Sequence, residues 1–346
     1  MNGSDATSTA GRAAGACGLP HPLTETLTWT GLAVALLVLP WFVSAYALYM
    51  GTLVAINIVA TVGLNITVGY AGLLSIGHSA FLGVGAYVSA LLLLRLGTPL
   101  ALNVVAGALA AFLAGLLFGI PSLRIKGVFL AIATLAAQYS LYFIFQQWTQ
   151  MTGGDRGLSL PRADMFGLRD HGFFYVAAGL AALICLAGRN LFRTRIGRAF
   201  IAVRERDYAA QVLGIDVVRT KLLAFGIGAA CAGVAGALTA TFLRIVNPDQ
   251  FTLPVSVFFL AATIVGGRAS ILGSILGAAF MTLVPEALRG GLDLMSRSMT
   301  LDVAGILSPL REMTFGILIV GFLMFEPQGI AGLALRALRR NPATLR

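Results

Sequence analysis

Few side chains in this sequence could support bond-making chemistry, and their spacing argues against an enzyme. The chain has only two lysines, Lys126 and Lys221, and neither follows a glycine. The Gly-Lys-Ser/Thr sequence of a phosphate-binding P-loop is therefore absent, and the chain cannot hydrolyse ATP by that route. The three histidines show no ligand spacing with Cys, Asp or Glu, which argues against a metal site. We expect no catalytic residue, no metal and no cofactor, with any ATP used by partner subunits.

The apolar segments carry no Asp or Glu near their centres. A buried ionisable side chain is the usual mark of a proton relay or an ion-coupled site in a membrane protein. Its absence argues against a secondary transporter or a channel, which we keep only as an alternative. The energy for any transport must then come from another subunit.

Residues 63–87 combine six glycines with Asn, Thr, Ser and His side chains in otherwise apolar sequence. Glycine allows sharp turns and close helix packing at membrane depth, and a backbone break is tolerated there only where protein buries it or it lines a wet cavity. One interpretation is a broken segment that lines a substrate route, with Asn65, Ser75, Gly77 and His78 as the candidate residues. The alternative is close packing with ordinary polar contacts, in which His78 is a hydrogen-bonded structural histidine.

The segment 189–220 places apolar residues at near-helical spacing, with arginines between them. This pattern predicts a short amphipathic helix that ends at Gly214, because glycine is the preferred residue just past a helix C terminus. Such a helix could lie on the anionic inner leaflet or dock against a cytoplasmic partner. The residues alone leave both open.

The elements that position these residues follow from the composition. Of 346 residues, 58% are hydrophobic and 11% charged, whereas soluble proteins carry roughly 25% charged residues. So much apolar surface is stable only in lipid, which excludes a soluble enzyme, a disordered chain and a secreted disulfide-rich protein. The runs are too long, and alternate too little, for an outer-membrane barrel. We predict an all-α polytopic membrane protein with about ten (8–10) transmembrane helices: 31–49, 52–69, 79–96, 100–119, 127–147, 172–188, 221–243, 252–267, 271–288 and 305–325. The pair within 252–288 also fits one re-entrant segment.

The distribution of charge predicts the orientation. Lys and Arg total 24 against 14 Asp and Glu, a net charge of +10. In a soluble protein this would suggest nucleic acid, but in a membrane protein the cytoplasmic loops gather positive charge. Basic residues concentrate in 189–220, around 124–126 and in 334–346, whereas 148–171 is balanced and 286–312 slightly acidic. We therefore predict a disordered cytoplasmic tail (1–28), a membrane domain (29–333) and a basic cytoplasmic C-terminal tail (334–346).

Several short blocks, in the same order, make the chain similar to the M-type permease subunits of branched-chain amino acid ABC transporters. The similarity runs from about residue 50 to 333. One Gly-rich block alone would be weak evidence, but six in order are specific. The blocks are 64–87, 124–135, 152–158, 197–215, 266–273 and 327–330.

The resemblance implies a permease subunit in the bacterial inner membrane that imports branched-chain or related amino acids. It implies a homologous second permease subunit, two cytoplasmic ATP-binding subunits and a periplasmic substrate-binding protein as partners. A permease of the same superfamily for urea, short amides or simple sugars is the alternative. The segment 209–214 resembles the EAA motif by which importer permeases contact their ATPases, although Tyr208 stands where an acidic residue is usual and Asp207 precedes it. The implied coupling residues are Arg198, Tyr208, Ala209, Ala210, Leu213 and Gly214.

Overall fold

The computed structural model describes residues 44–122, 128–161 and 169–298, together with 313, 316 and 329–332. Contacts divide the chain into Met1–Ser44, of which only Ser44 is described, and Ala45–Arg346. The predicted tails (1–28 and 334–346), most of the first predicted span and nearly all of the last (305–325) therefore lie outside the described residues.

Helices make up nearly all of the described chain, as the apolar runs predict. Seven of them are long and apolar enough to cross a membrane, and an eighth has a shorter apolar part, Ile271–Ala287. This confirms the predicted all-α polytopic membrane fold. The helices are α1 (Ala45–Leu64), α2 (His78–Leu96), α3 (Leu100–Ser122), α4 (Val128–Gln147), α5 (Thr149–Thr152), α6 (Arg169–Arg193), α7 (Arg195–Glu205), α8 (Asp207–Val212), α9 (Val217–Leu243), α10 (Leu253–Gly266) and α11 (Ile271–Ser298).

The structure corrects one predicted helix boundary and decides between two alternatives at another. The break expected between the first two spans, at 49–52, is wrong, because α1 begins at Ala45 and continues through Gly51. Gly51 faces a neighbouring helix rather than a turn, since a Cβ placed on it would lie 3.1 Å from the Phe174 ring. In the segment 252–288, where one re-entrant element was also possible, the chain forms two helices, α10 and α11, on either side of a tight turn.

The centre of the bundle is α9, which packs through small residues. A Cβ placed on Gly85 of α2 would lie 2.4 Å from the Cα of Gly233, and one on Gly236 would lie 1.9 Å from the carbonyl oxygen of Leu82. Backbones can approach this closely only where side chains are absent, and such contacts supply the dispersion energy that holds helices together in lipid. The bundle therefore depends on glycine at specific crossing points.

The two ends of the bundle collect different loops. At one end a two-stranded antiparallel pair joins Leu158–Ser159 to Ile245–Val246. At the other end the turn before α11 contacts Asn65, which directly follows α1, and Arg204 of α7 contacts Gly69 in the same segment. The loops between α4 and α6 and between α9 and α10 thus lie at one end, and those between α6 and α9 and between α10 and α11 lie at the other.

Replacing Gly236 with Ala should destabilise the bundle, because the added methyl group would overlap the Leu82 carbonyl oxygen. Overpacking of this kind costs about 1–3 kcal/mol, so the thermal midpoint in detergent should fall. Gly179→Ala is the matched control, since no atom lies within 4 Å of a Cβ at that helical position and alanine favours helix. Equal midpoints for the two variants would contradict the assigned packing.

Candidate functional site

The Gly-rich segment turns back into the bundle after α1. Helix α1 continues as a π-helix over Asn65–Tyr70, and the chain then runs without helix to His78, where α2 begins. The His78 Nε2 atom lies 2.9 Å from the Ala60 carbonyl oxygen. Ala60 is ten residues before Tyr70, or about 15 Å along a helix. Residues 71–77, here called the re-entrant segment, therefore carry the chain back towards mid-depth, so that α2 starts inside the bundle.

A helix that starts inside the bundle leaves backbone N–H groups without helical partners, and side chains from other helices bond to them. The Ser79 N–H donates to the Ser256 hydroxyl (2.9 Å), and the Ala80 N–H donates to Gln138 Oε1 (2.9 Å). Gln138 comes from the middle of α4 and Ser256 from the first turns of α10. Three helices thus meet at the first turn of α2.

The same side chains also satisfy the carbonyl groups that precede α10. Gln138 Nε2 donates to the Phe251 carbonyl oxygen at 2.5 Å, and the Ser79 hydroxyl donates to the Thr252 carbonyl oxygen at 2.9 Å. Ser79, Gln138 and Ser256 are each no more than 1% exposed, and we call them the mid-bundle cluster. Sequence reasoning missed Gln138 and Ser256; a Gln at the centre of the apolar run 127–147 was the available signal.

Asn65 lies at the end of the bundle rather than with the cluster. Its Nδ2 atom donates to the Ser270 carbonyl oxygen (2.8 Å) and to the Ser274 hydroxyl (2.7 Å), while Oδ1 accepts from the Ala269 N–H (3.0 Å). Ala269 has a left-handed backbone, with φ of 57°. Asn65 therefore holds the turn between α10 and α11 in a conformation that alanine seldom adopts.

The other predicted route residues lie on or directly after the re-entrant segment, packed against α4. The Ile76 N–H donates to the Thr134 hydroxyl at 3.0 Å. A Cβ placed on Gly77 would lie 2.4 Å from the Thr134 carbonyl oxygen, and Ser75 is 3% exposed. Ser75, Gly77 and His78 are thus brought together inside the bundle, whereas Asn65 serves a different contact.

The loop between α6 and α9 contains two helices instead of the single amphipathic helix that we predicted. The chain is extended at Arg206, with φ of −155° and ψ of 107°, which separates α7 from α8. Asp207, the first residue of α8, pairs with Lys221 of α9 at 2.7 Å. This ion pair holds the start of α8 against α9, a contact that the apolar spacing did not reveal.

The apolar side chains of this loop divide into a buried and an exposed set. Ala210 is 1% exposed and packs with Val203 and Val217. Ala210 therefore lies on the inner side of α8, whereas Ala209, which the resemblance also implies as a coupling residue, is exposed. Arg198 is exposed on α7.

The exposed set forms one surface, here called the α8 face, made by Tyr208, Ala209, Val212 and Leu213. Three of these side chains are largely exposed: Tyr208 (76%), Val212 (88%) and Leu213 (79%). Gly214 follows with φ of 80°, and the Ile215 N–H donates to the Ala210 carbonyl oxygen at 3.0 Å. This left-handed termination is the one predicted for Gly214.

Two glycines from distant predicted blocks also meet at this end. A Cβ placed on Gly329 would lie 2.7 Å from the Cα of Gly267. Both glycines have positive φ, so neither position suits a larger residue. Gly329 therefore packs on the turn that Asn65 holds.

Comparison with known proteins agrees with this architecture. The branched-chain amino acid transport system / permease component family model matches residues 46–325. The high-affinity branched-chain amino acid transport system permease protein LivM of Escherichia coli is 36% identical over 287 residues, 74% of this chain and 68% of the relative. No solved structure gives a significant match.

Two other relatives extend the comparison. The probable branched-chain amino acid transport permease protein LivH of Methanocaldococcus jannaschii is 25% identical over 85% of this chain and 95% of the relative. The autoinducer 2 import system permease protein LsrC of Klebsiella pneumoniae is 32% identical over 53% of each chain. With the family model covering all the described membrane helices, this chain belongs to the branched-chain amino acid transport system permease family.

Proposed function

We propose that this chain is the permease subunit of an ATP-binding cassette importer that moves branched-chain or related amino acids across the bacterial inner membrane. The observation that carries the proposal is the pairing of a re-entrant segment inside the bundle with an exposed apolar α8 face at its end. The first provides a break at membrane depth where a route can form. The second provides a surface for a subunit that hydrolyses ATP. The chain itself has no Gly-Lys-Ser/Thr sequence with which to bind the phosphates of ATP.

The proposed partners supply the functions that this chain lacks. A homologous second permease, of the kind named LivH among the relatives, would complete the membrane unit. Two ATP-binding subunits would dock on the α8 faces, and a periplasmic binding protein would deliver the substrate to the opposite end. ATP is then used by the partners, and the permease needs no cofactor.

Charge supports one orientation. The loop that carries α7 and α8 (189–220) holds seven of the 22 arginines against three acidic residues, which favours the cytoplasmic side. The strand pair at Leu158 and Val246 then faces the periplasm. By the same rule the basic C-terminal tail (334–346) is cytoplasmic, and the N-terminal tail is cytoplasmic, as predicted, when one separate span precedes α1.

Amino acids are favoured over the alternative substrates by the extent of similarity. The LivM relative matches 74% of the chain, whereas the autoinducer 2 permease matches 53%. Urea, short amides and simple sugars are the second candidates, and an uptake assay with each of these compounds tests them.

ATP hydrolysis should appear only in the assembled complex. The chain purified alone should show none, because it lacks a phosphate-binding lysine. Proteoliposomes that contain both permeases and the ATP-binding subunits should take up radiolabelled leucine when ATP and the binding protein are present. Hydrolysis by the chain alone, or uptake of urea or a sugar in place of leucine, would refute the assignment.

Gly77→Leu should stop uptake while the complex still assembles. The side chain would collide with the Thr134 carbonyl oxygen and push the re-entrant segment away from α4. Gly179→Leu is the matched control, because that glycine faces open space. Normal uptake by Gly77→Leu would place the route elsewhere.

Gly214→Val should abolish substrate-stimulated hydrolysis without affecting membrane insertion. No atom lies within 4 Å of a Cβ at Gly214, so the effect is purely the strain of a β-branched residue at positive φ, about 1–3 kcal/mol. Relief of that strain would redirect α8.

Gly214→Asn is the control for that experiment, because asparagine tolerates the left-handed conformation. It should keep most of the stimulation. If Val at this position behaves like the parent, the α8 face rests on lipid and not on an ATPase.

A further inference from the structure

We propose that Arg204 is the residue that transmits movement of the docking helices to the re-entrant segment. This inference rests on the proposed function, because it assumes that an ATPase moves α8. Arg204 lies on α7, two residues before the extended Arg206 that separates α7 from α8. It is a positioning residue, since it contacts protein backbone and not substrate.

The contact joins Arg204 to the end of the π-helix. Arg204 Nη1 donates to the Gly69 carbonyl oxygen at 2.7 Å. A hydrogen bond from a charged donor is roughly twice as strong as one between neutral groups. The π-helix ends one residue later, at Tyr70, so the guanidinium holds the point at which the chain begins to turn back.

The stem of the same side chain rests on the re-entrant segment. Gly72 has φ of 69°, and a Cβ placed on it would lie 2.7 Å from Arg204 Cγ. Glycine is therefore needed at this position for two reasons: its backbone has positive φ, and a side chain here would collide with that of Arg204. Arg204 thus contacts the chain on both sides of Tyr70.

A third contact orients the guanidinium. Glu205 Oε1 accepts from Arg204 Nη2 at 2.8 Å and from Nε at 3.2 Å. This leaves Nη1 aimed at Gly69, and it keeps the guanidinium paired if the Gly69 contact opens. The Arg204 side chain is 34% exposed, so breaking and reforming the contact does not strand a charge in an apolar interior.

The neighbouring contacts explain why Arg204 is placed to carry movement. Asp207 ties the start of α8 to Lys221 of α9, and the Tyr70 ring stacks on Phe192 at the end of α6. The first contact attaches α8 to the membrane helix α9, and the second attaches the π-helix to the membrane helix α6. Arg204, in contrast, contacts the broken part of the α1–α2 connection directly, at Gly69 and at Gly72.

The test uses the complete complex in nanodiscs, with Arg204→Met as the main variant, because methionine keeps an apolar stem over Gly72 but cannot donate. Arg195→Met is the matched control: it removes the same charge from α7, nine residues away and on the opposite side of the helix. Coupled sites usually influence each other by about five- to 150-fold. Arg204→Met should therefore lower substrate-stimulated hydrolysis at least about fivefold, while the ATP-binding subunits still copurify and Arg195→Met stays near the parent.

A second readout does not depend on the substrate. Leu74 is exposed on the re-entrant segment, and a cysteine there, in a background without Cys17, Cys185 and Cys231, can be labelled in the complex. Its labelling rate should change on ATP addition in the parent and not in Arg204→Met. If ATP alters labelling in the parent but no amino acid stimulates hydrolysis, the proposed substrate is wrong while the role of Arg204 stands.

Other results would overturn the role of Arg204. Loss of the ATP-binding subunits from Arg204→Met, but not from Arg195→Met, would make Arg204 a docking residue. Parent-like stimulation and labelling in Arg204→Met would show that Arg204 does not transmit the movement. If Arg204→Met does not fold, Arg204→Lys replaces it: lysine keeps a charged donor but not the planar fork, so stimulation should be intermediate, and parent-like stimulation would refute the proposal.

Discussion

A backbone that breaks at membrane depth must still have its polar groups hydrogen-bonded, and this constraint organises the protein. The first turn of α2 begins inside the bundle, where no water satisfies its N–H groups. Ser256 and Gln138 accept from two of them, and Gln138 also donates to the carbonyl group of Phe251. Each unsatisfied group would cost several kcal/mol in hydrocarbon. One glutamine thereby ties α4 and the approach to α10 to the start of α2.

The same break requires glycine around it, for two physical reasons. The π-helix and the re-entrant segment place backbone against backbone, and at Gly77 the approach to Thr134 leaves no room for a side chain. At Gly72 the backbone itself has positive φ, which a side chain would strain.

The sequence predicted the helices and their ends better than their contacts. The run 79–96 matches α2 (His78–Leu96), and Gly214 ends its helix as expected, because apolar periodicity and glycine conformation are local properties. The mid-bundle cluster could not be predicted, since Ser79 and Ser256 lie 177 residues apart. The break at Arg206 was also hidden, because the apolar period continues across it. The burial of Ala210 was missed because it depends on contacts with Val203 of α7 and Val217 of α9.

The α8 face is small, and its size bears on how an ATPase could be held. Three exposed apolar side chains, Tyr208, Val212 and Leu213, offer far less area than the ~800 Å² per partner of a stable interface. A single face would therefore bind weakly. In the proposed complex two permeases present two faces, and two ATP-binding subunits that associate with each other would engage both, so the second contact forms at a high effective concentration. Weak individual contacts then suit the mechanism, because each face can shift against its ATPase during the cycle while the pair keeps the complex together.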